Sequence, residues 1–207
     1  MSYLNLIEQF ISERKLKTPA IIKAFKNVNR AQFMLPEDRQ NAGVDVPFPI
    51  GEGQTISQPT TVAFMIEELK PQKDDKILDI GAGSGWTTAL LAEIVGEKGE
   101  VIGVEIIGKV FEFGKNNLKN FKKYQNIKFL NCDASGGLEK YAPFDRILAS
   151  ATFSTIPDDL KNQLKIGGKM VAPVENSLVM IERKTKKKFL KKEFPYFTFV
   201  PITGKFS

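Results

Sequence analysis

The chain has 207 residues, 42% of them hydrophobic and 26% charged, with 30 basic against 24 acidic side chains and a net charge of +6. This is ordinary globular composition with enough length for one substantial core, so disorder is not expected and a single domain over residues 1–207 is. There is no histidine and Cys132 is the only cysteine, which removes Ser-His-Asp and Cys-His catalysis, the commonest zinc ligand and any internal disulfide. A lone thiol fits a reducing cytoplasm. No apolar run is long enough to span a bilayer, and MSYLNLIEQF lacks the charged start of a signal peptide, so a cytoplasmic protein without membrane attachment is expected.

In chain order, Tyr3, Leu6, Ile7, Phe10 and Ile11 recur at helical spacing, and so do Ile21, Ile22, Phe25 and Val28. Thr18 followed by Pro19 reads as a cap and a first-turn proline, so an N-terminal helical layer is predicted. Leu35 to Gln58 is a long irregular segment carrying Pro36, Pro47 and Pro49, and loops of that length are often functional. Val62, Ala63, Met65, Ile66 and Leu69 then return to a helical pattern. KILDIG (Lys76 to Gly81) predicts a buried strand, Trp86 to Val95 a helix, EVIGVE (Glu100 to Glu105) a strand and Val110 to Phe121 a helix. IKFLN (Ile127 to Asn131) and RILAS (Arg146 to Ser150) are strands, Pro157 to Leu164 a short helix, and KMVAPV (Lys169 to Val174) a strand. This alternation implies parallel βαβ units with right-handed crossovers. After Val174 come short strands in SLVMIER, KFLKKEF and FTFVPI. The predicted class is α/β, a doubly wound Rossmann-like sheet with an N-terminal helical layer and a C-terminal run of short strands.

Much of the basic excess lies in RKTKKKFLKK (Arg183 to Lys192). Such a run is either a patch for an acidic partner or a solvated hairpin; without aromatics in a base-stacking pattern, the hairpin is expected and nucleic-acid binding is not.

LDIGAGSGW places Asp79, Gly81, Gly83 and Gly85 at the end of the first core strand and the opening of a helix. Glycines let the backbone approach a ligand closely, and the helix N-terminus offers free N–H donors. Trp86 follows where a dinucleotide fingerprint would continue differently. Asp79 would repel a pyrophosphate but could accept from an ammonium or a water, so a cationic or zwitterionic nucleoside fits better than a nicotinamide dinucleotide. Glu105 ends the next strand, where its oxygens could accept from ribose hydroxyls; otherwise it is an exposed strand-end acid. Asp133, in NCDASGG, ends the third strand and with the Ala134 amide could bond an adenine edge, or else forms an Asx turn into Ser135-Gly136-Gly137.

LDIGAGSG with a strand-end acid resembles the S-adenosylmethionine-binding half of class I methyltransferases. VDVPFPIGEGQTISQP, the stretch from Ala142 to Val174, and FVPITGK are similar specifically to the protein-L-isoaspartate O-methyltransferase family, with likeness from about Pro19 to the C-terminus. The resemblance implies residues 1–58 as helical layer and substrate loop and 59–207 as cofactor-binding core with C-terminal strands. It implies methyl transfer from S-adenosylmethionine, with no metal, to the α-carboxylate of isoaspartyl residues in damaged proteins, and a monomeric enzyme. Ser57 is then the active-site serine; its alternative role is N-cap of the helix after Pro59. Thr55, Ile56, Asp79, Gly81, Gly83, Gly85, Glu105, Asp133, Ala134 and Thr203 fall at cofactor positions. Asp45, Pro47, Ser150 and Ala151 fall at substrate positions, with a buried structural acid as the alternative for Asp45. Departures are Ala134 for a glycine, Val62 for a histidine of some members, Val44 for an aromatic, Glu105 for an aspartate and Ser150 for a threonine. Another carboxylate or RNA as acceptor, and a catalytically silent binding module, are the alternatives weighed.

Overall fold

The computed structural model describes residues 1–119 and 125–206. It opens with α1 (Tyr3–Ser12), capped by Ser2, which accepts from the Asn5 N–H at 3.2 Å, and α2 (Pro19–Asn27). Pro19 at the first helical position sacrifices no helical bond. Thr18 precedes it as expected but makes no side-chain cap. Its hydroxyl and amide donate instead to Glu67 at 2.8 and 2.9 Å, and the Lys17 amide does so at 2.7 Å. Glu67 belongs to α3 (Pro59–Leu69), so a carboxylate has taken the hydroxyl and pinned two helices together.

The segment expected to be irregular contains a 3-10 turn (Pro36–Asn41) and a hairpin, β1 (Phe48–Gly51) with β2 (Gln54–Ile56). At its tip Gly51, Glu52 and Gly53 have φ of +96°, +51° and +69°, a left-handed run that flanking glycines make affordable. The hairpin stands apart from the main sheet.

That sheet has seven strands: β3 (Lys76–Ile80), β4 (Glu100–Glu105), β5 (Ile127–Asn131), β6 (Phe144–Ala149), β7 (Leu164–Val174), β8 (Ser177–Arg183) and β9 (Phe189–Pro195). Their order is β5-β4-β3-β6-β7-β8-β9. The pairs from β5 to β7 are parallel and the last two antiparallel. Helices α4 (Trp86–Val95), α5 (Gly108–Lys119) and α6 (Asp158–Asn162) lie between β3 and β4, β4 and β5, and β6 and β7, while a 3-10 turn (Glu139–Tyr141) lies between β5 and β6. The end of the helix expected at Val110 to Phe121 falls at residues 120 and 121, outside the described residues. The helix expected over Pro157 to Leu164 is shorter, because Leu164 already starts β7. FTFVPI forms no strand; it contributes the isolated bridge between Thr152 and Pro201, while Phe194 and Phe197 pack on Phe64 of α3 with ring centroids 5.0 and 5.3 Å away. The basic run is the β8–β9 turn and the exposed edge strand β9.

Side chains alternate across the sheet with period two. Leu78, Ile80, Ile102 and Val104 pack on one face with Leu160 of α6, and Ile77, Val101 and Leu148 on the other against Met65 and Leu69 of α3 and Leu91 and Val95 of α4. Asp79 therefore shares the α4 face. A further cluster joins Leu6, Phe10, Ile21 and Phe25 of the first two helices to Trp86 and Leu90. Because β4 lies on one side of β3 and β6 on the other, the chain direction switches at β3, and the crevice outside the carboxyl ends of these strands is where such sheets take ligands. Among the described residues no helix is long and apolar enough to cross a membrane, and no cluster of acids and cysteine could hold a metal.

Candidate active site

After β3 the backbone turns at Gly81 and Gly83, with φ of +69° and +53°. The Gly81 and Ala82 amides donate to the Val104 carbonyl at 2.9 and 3.0 Å, which seats the turn on β4. Gly85 opens α4 with φ +84°. A Cβ there would lie 2.9 Å from Leu118 Cγ, so α5 packing requires this glycine, and it does not line the cleft that follows.

Glu105 is buried at the end of β4. Its Oε2 accepts from the Gly83 amide at 3.1 Å and its Oε1 from the Ile107 amide at 2.9 Å. The carboxylate is thus oriented by backbone, and each oxygen retains lone-pair capacity for a further donor. Asp79 is fully buried. Its Oδ2 accepts from the Thr87 and Thr88 hydroxyls at 2.8 and 2.7 Å, while Oδ1 has no partner. Burial pushes its pKa up to about 6, against the opposing pull of the two threonine bonds. Asp79 does not itself line the cleft, but its neighbours Ile80 and Thr87 do.

Asp133 binds two backbone amides. One oxygen accepts from the Ser135 amide at 2.8 Å, which makes an Asx turn, and the other from the Lys205 amide at 2.8 Å. The Phe206 amide donates to Ser135 Oγ at 3.1 Å. The acid expected at the adenine edge lies outside the cleft wall and latches the C-terminal tail, while Ala134 lines the cleft beside Cys132 and Ser135. Ala134 is not among the residues with positive φ, so its backbone does not require the glycine it replaces. The tail is tied at its other end by Thr152, whose amide donates to Val200 and whose carbonyl accepts from Ile202, both at 2.9 Å.

These parts enclose a cleft of about 780 Å³, its mouth included. Gly81, Gly83 and Glu105 form its floor, Thr55, Ile56 and Ser57 one wall, Ala151 another, and Val200 to Thr203 the lid. Among the described residues Glu105 is the one charged residue that lines it. An open groove lies alongside, lined by Pro47, Gln58, Thr61, Thr198 and Phe199. Thr55, Ser57, Ser150, Val200 and Pro201 belong to both. Among the substrate positions, Pro47 thus faces only the groove, Ala151 only the cleft, and Asp45 neither.

Asp45 instead accepts from the Thr60 amide and hydroxyl at 2.8 and 2.5 Å. It holds the start of α3, whose N-cap position is Gln58 rather than Ser57. Val62 is a buried core residue away from the cleft, and Val44 is 39% exposed. The residue that sequence reasoning passed over is Arg30. It is fully buried and donates to the Ser57 carbonyl; an arginine just beyond an aliphatic helix carries no sequence mark of burial.

The Protein-L-isoaspartate(D-aspartate) O-methyltransferase family model matches residues 1–207. The chain belongs to this family. A protein-L-isoaspartate O-methyltransferase of Methanopyrus kandleri is 40% identical over 205 residues, covering 97% of this chain and 90% of the relative. That of Methanothermobacter thermautotrophicus is 36% identical over 206 residues, covering 97% and 94%. A crystal structure from Plasmodium falciparum, described as a protein-L-isoaspartate O-methyltransferase family protein in complex with S-adenosyl-L-homocysteine, superposes with a TM-score of 0.88 at 23% identity, covering 98% of this chain and 99% of that one. At that identity it shows the fold: the seven-stranded methyltransferase sheet. The GQTISQP stretch that resembles this family is β2 and the bend that carries Ser57 to the start of α3.

Proposed function

We propose that this enzyme transfers a methyl group from S-adenosylmethionine to the free α-carboxylate of L-isoaspartyl residues in damaged proteins and peptides. The observation that carries the reading is the position of Ser57, on the wall common to the enclosed cleft and the open groove.

The cleft fits the cofactor. Glu105 ends β4 with lone pairs to spare for ribose hydroxyls, Gly81 and Gly83 keep Cβ atoms out of the cleft, and Asp79, buried behind the lining, holds the hydroxyl of Thr87, which lines it. Ala134, Ile106 and Ile107 provide apolar walls and Thr203 the lid. When bound, S-adenosylmethionine supplies both an electrophilic methyl and its own leaving group.

The chain then has little chemistry to perform. A carboxylate with an ordinary pKa near 4 is already ionised at pH 7, so no base is needed and the absence of histidine is no handicap. Ser57 Oγ donates one hydrogen bond to the carboxylate and fixes which oxygen faces the cleft. Among the described residues no lysine or arginine lines the cleft to neutralise that oxygen, so it stays nucleophilic. Holding the reacting atoms about 3 Å apart and in line, with water excluded by the tail, is catalysis by orientation. The released methyl ester is attacked by the neighbouring backbone amide nitrogen; methanol leaves and a succinimide forms, which water opens partly to normal aspartate.

The proposal extends to a monomer that acts in the cytoplasm as one domain, with the single Cys132 in support. Labelled methyl transfer to a peptide with one isoaspartyl residue, measured beside its aspartyl twin, tests it. Labelling of the isoaspartyl peptide alone is expected; equal labelling, or none, rejects it. Light scattering checks the monomer.

A further inference from the structure

Arg30 opens a 3-10 turn (Arg30–Phe33) and is 0% exposed. A buried arginine ordinarily pairs with a carboxylate. This one meets backbone carbonyls instead: Nη1 donates to Val44 at 3.1 Å, and Nη2 to Val46 at 2.7 Å and to Ser57 at 3.0 Å, with Ile56 at 3.4 Å. The rings of Phe48 and Trp86 flank it, each with its centroid 5.5 Å from Cζ. Burial lowers its pKa to about 10, so it remains a cation at neutral pH. Two stretches on either side of the β1–β2 hairpin are therefore fastened to one planar group, and between them Asp45 grips Thr60 at the start of α3. Ser57 is held by its own carbonyl, and the residue lines both cleft and groove.

We propose that Arg30 is a positioning residue for methyl transfer: its guanidinium clamps the Val44–Val46 and Ile56–Ser57 backbones so that the Ser57 hydroxyl is fixed at the wall shared by cleft and groove. This rests on the carboxyl-methyl transfer reading above. The clamp acts on the hairpin wall of the cleft, through Ile56, Ser57 and the Trp86 ring, whereas the Gly81–Gly83 turn and Glu105 are seated on β3 and β4 by their own bonds. Lysine cannot replace it, since an ammonium is a point charge without a planar fork to bond diverging carbonyls and stack between two rings.

The test is Arg30→Lys in the full chain, assayed well below its unfolding temperature with an isoaspartyl peptide, and titrated with S-adenosylhomocysteine by calorimetry. The expected result is a loss of at least fivefold in kcat/KM for the peptide with S-adenosylhomocysteine affinity changed less than threefold. A merely structural arginine would lower the unfolding temperature without that division. A smaller loss of kcat/KM, or a loss of S-adenosylhomocysteine affinity that matches the loss of activity, overturns the assignment. If Arg30→Lys does not fold, Phe48→Leu, which strips one face of the stack, carries the same test with a threshold of twofold. If the wild-type chain itself fails to label the peptide, the functional reading falls separately. Arg30 is then judged by hydrogen exchange at the amides of residues 54–58, where faster exchange in the variant sustains the clamp and unchanged exchange removes it.

Discussion

The Gly81–Gly83 turn and the Gln54–Ser57 stretch face each other across one cleft but are anchored differently. The turn grows out of β3 and is bonded to the Val104 carbonyl and the Glu105 carboxylate of β4, so the central sheet sets its position. The opposite wall belongs to a separate two-stranded hairpin, held from outside by Arg30 and Asp45. The turn inherits the rigidity of a parallel sheet, whereas the hairpin wall is seated from outside that sheet by its buried Ile50 and Ile56 and by polar clasps. Donor affinity and acceptor turnover should therefore be separable by mutation.

The comparison breaks most sharply at Glu105. Glu105→Ala removes a carboxylate poised for two charge-assisted bonds and releases Gly83. A loss of about 3 kcal/mol in cofactor binding, roughly 150-fold, is expected by titration calorimetry. Peptide KM at saturating cofactor should hardly move, and a large shift there would merge the two sides. Ser57→Ala reads the other wall: loss of one bond to a charged acceptor should lower kcat by about 2 kcal/mol, roughly 30-fold, with cofactor affinity within twofold. A variant that keeps full kcat would remove Ser57 from the mechanism.

Asp79 sharpens the comparison through pH. Its folded pKa is raised to about 6 from an ordinary value near 4. The folded chain therefore holds the proton more tightly than the unfolded chain, and ionisation costs stability as pH rises from about 4 to 6. Without cofactor, Asp79→Asn should exceed wild type in stability by about 1 to 2 kcal/mol at pH 7, and the gap should close towards pH 4. Urea unfolding at several pH values checks this, and a constant difference would refute it. The smallest effect is expected at the exposed β8–β9 turn, where serine in place of Lys186, Lys187 and Lys188 should leave peptide kcat/KM within twofold at ordinary salt. A larger fall would bring the basic edge into acceptor recognition.

The sheet was readable because its strands are buried runs bounded by polar turns. Trp86–Val95, Glu100–Glu105, Ile127–Asn131 and Ser177–Arg183 form at the bounds their patterns predict. The β1–β2 hairpin was not readable, since its strands are very short, Pro49 sits within one, and the turn relies on a left-handed Glu52. Glu105 and Ser57 could be picked out because strand-end position and family likeness name them. Asp133 shows the limit: the Asx turn weighed for it forms with Ser135, but its second bond, from the Lys205 amide 72 residues away, leaves no local pattern. Arg30 was hidden for the same reason, because backbone carbonyls accept its bonds and these have no signature in residue type.

The tail from Val200 to Phe206 crosses the top of the cleft, tied by Thr152 at one end and by Asp133 and Ser135 at the other. During synthesis these residues leave the ribosome after every strand of the sheet has emerged. A nascent chain can thus assemble its core before this segment completes the lining of the cleft.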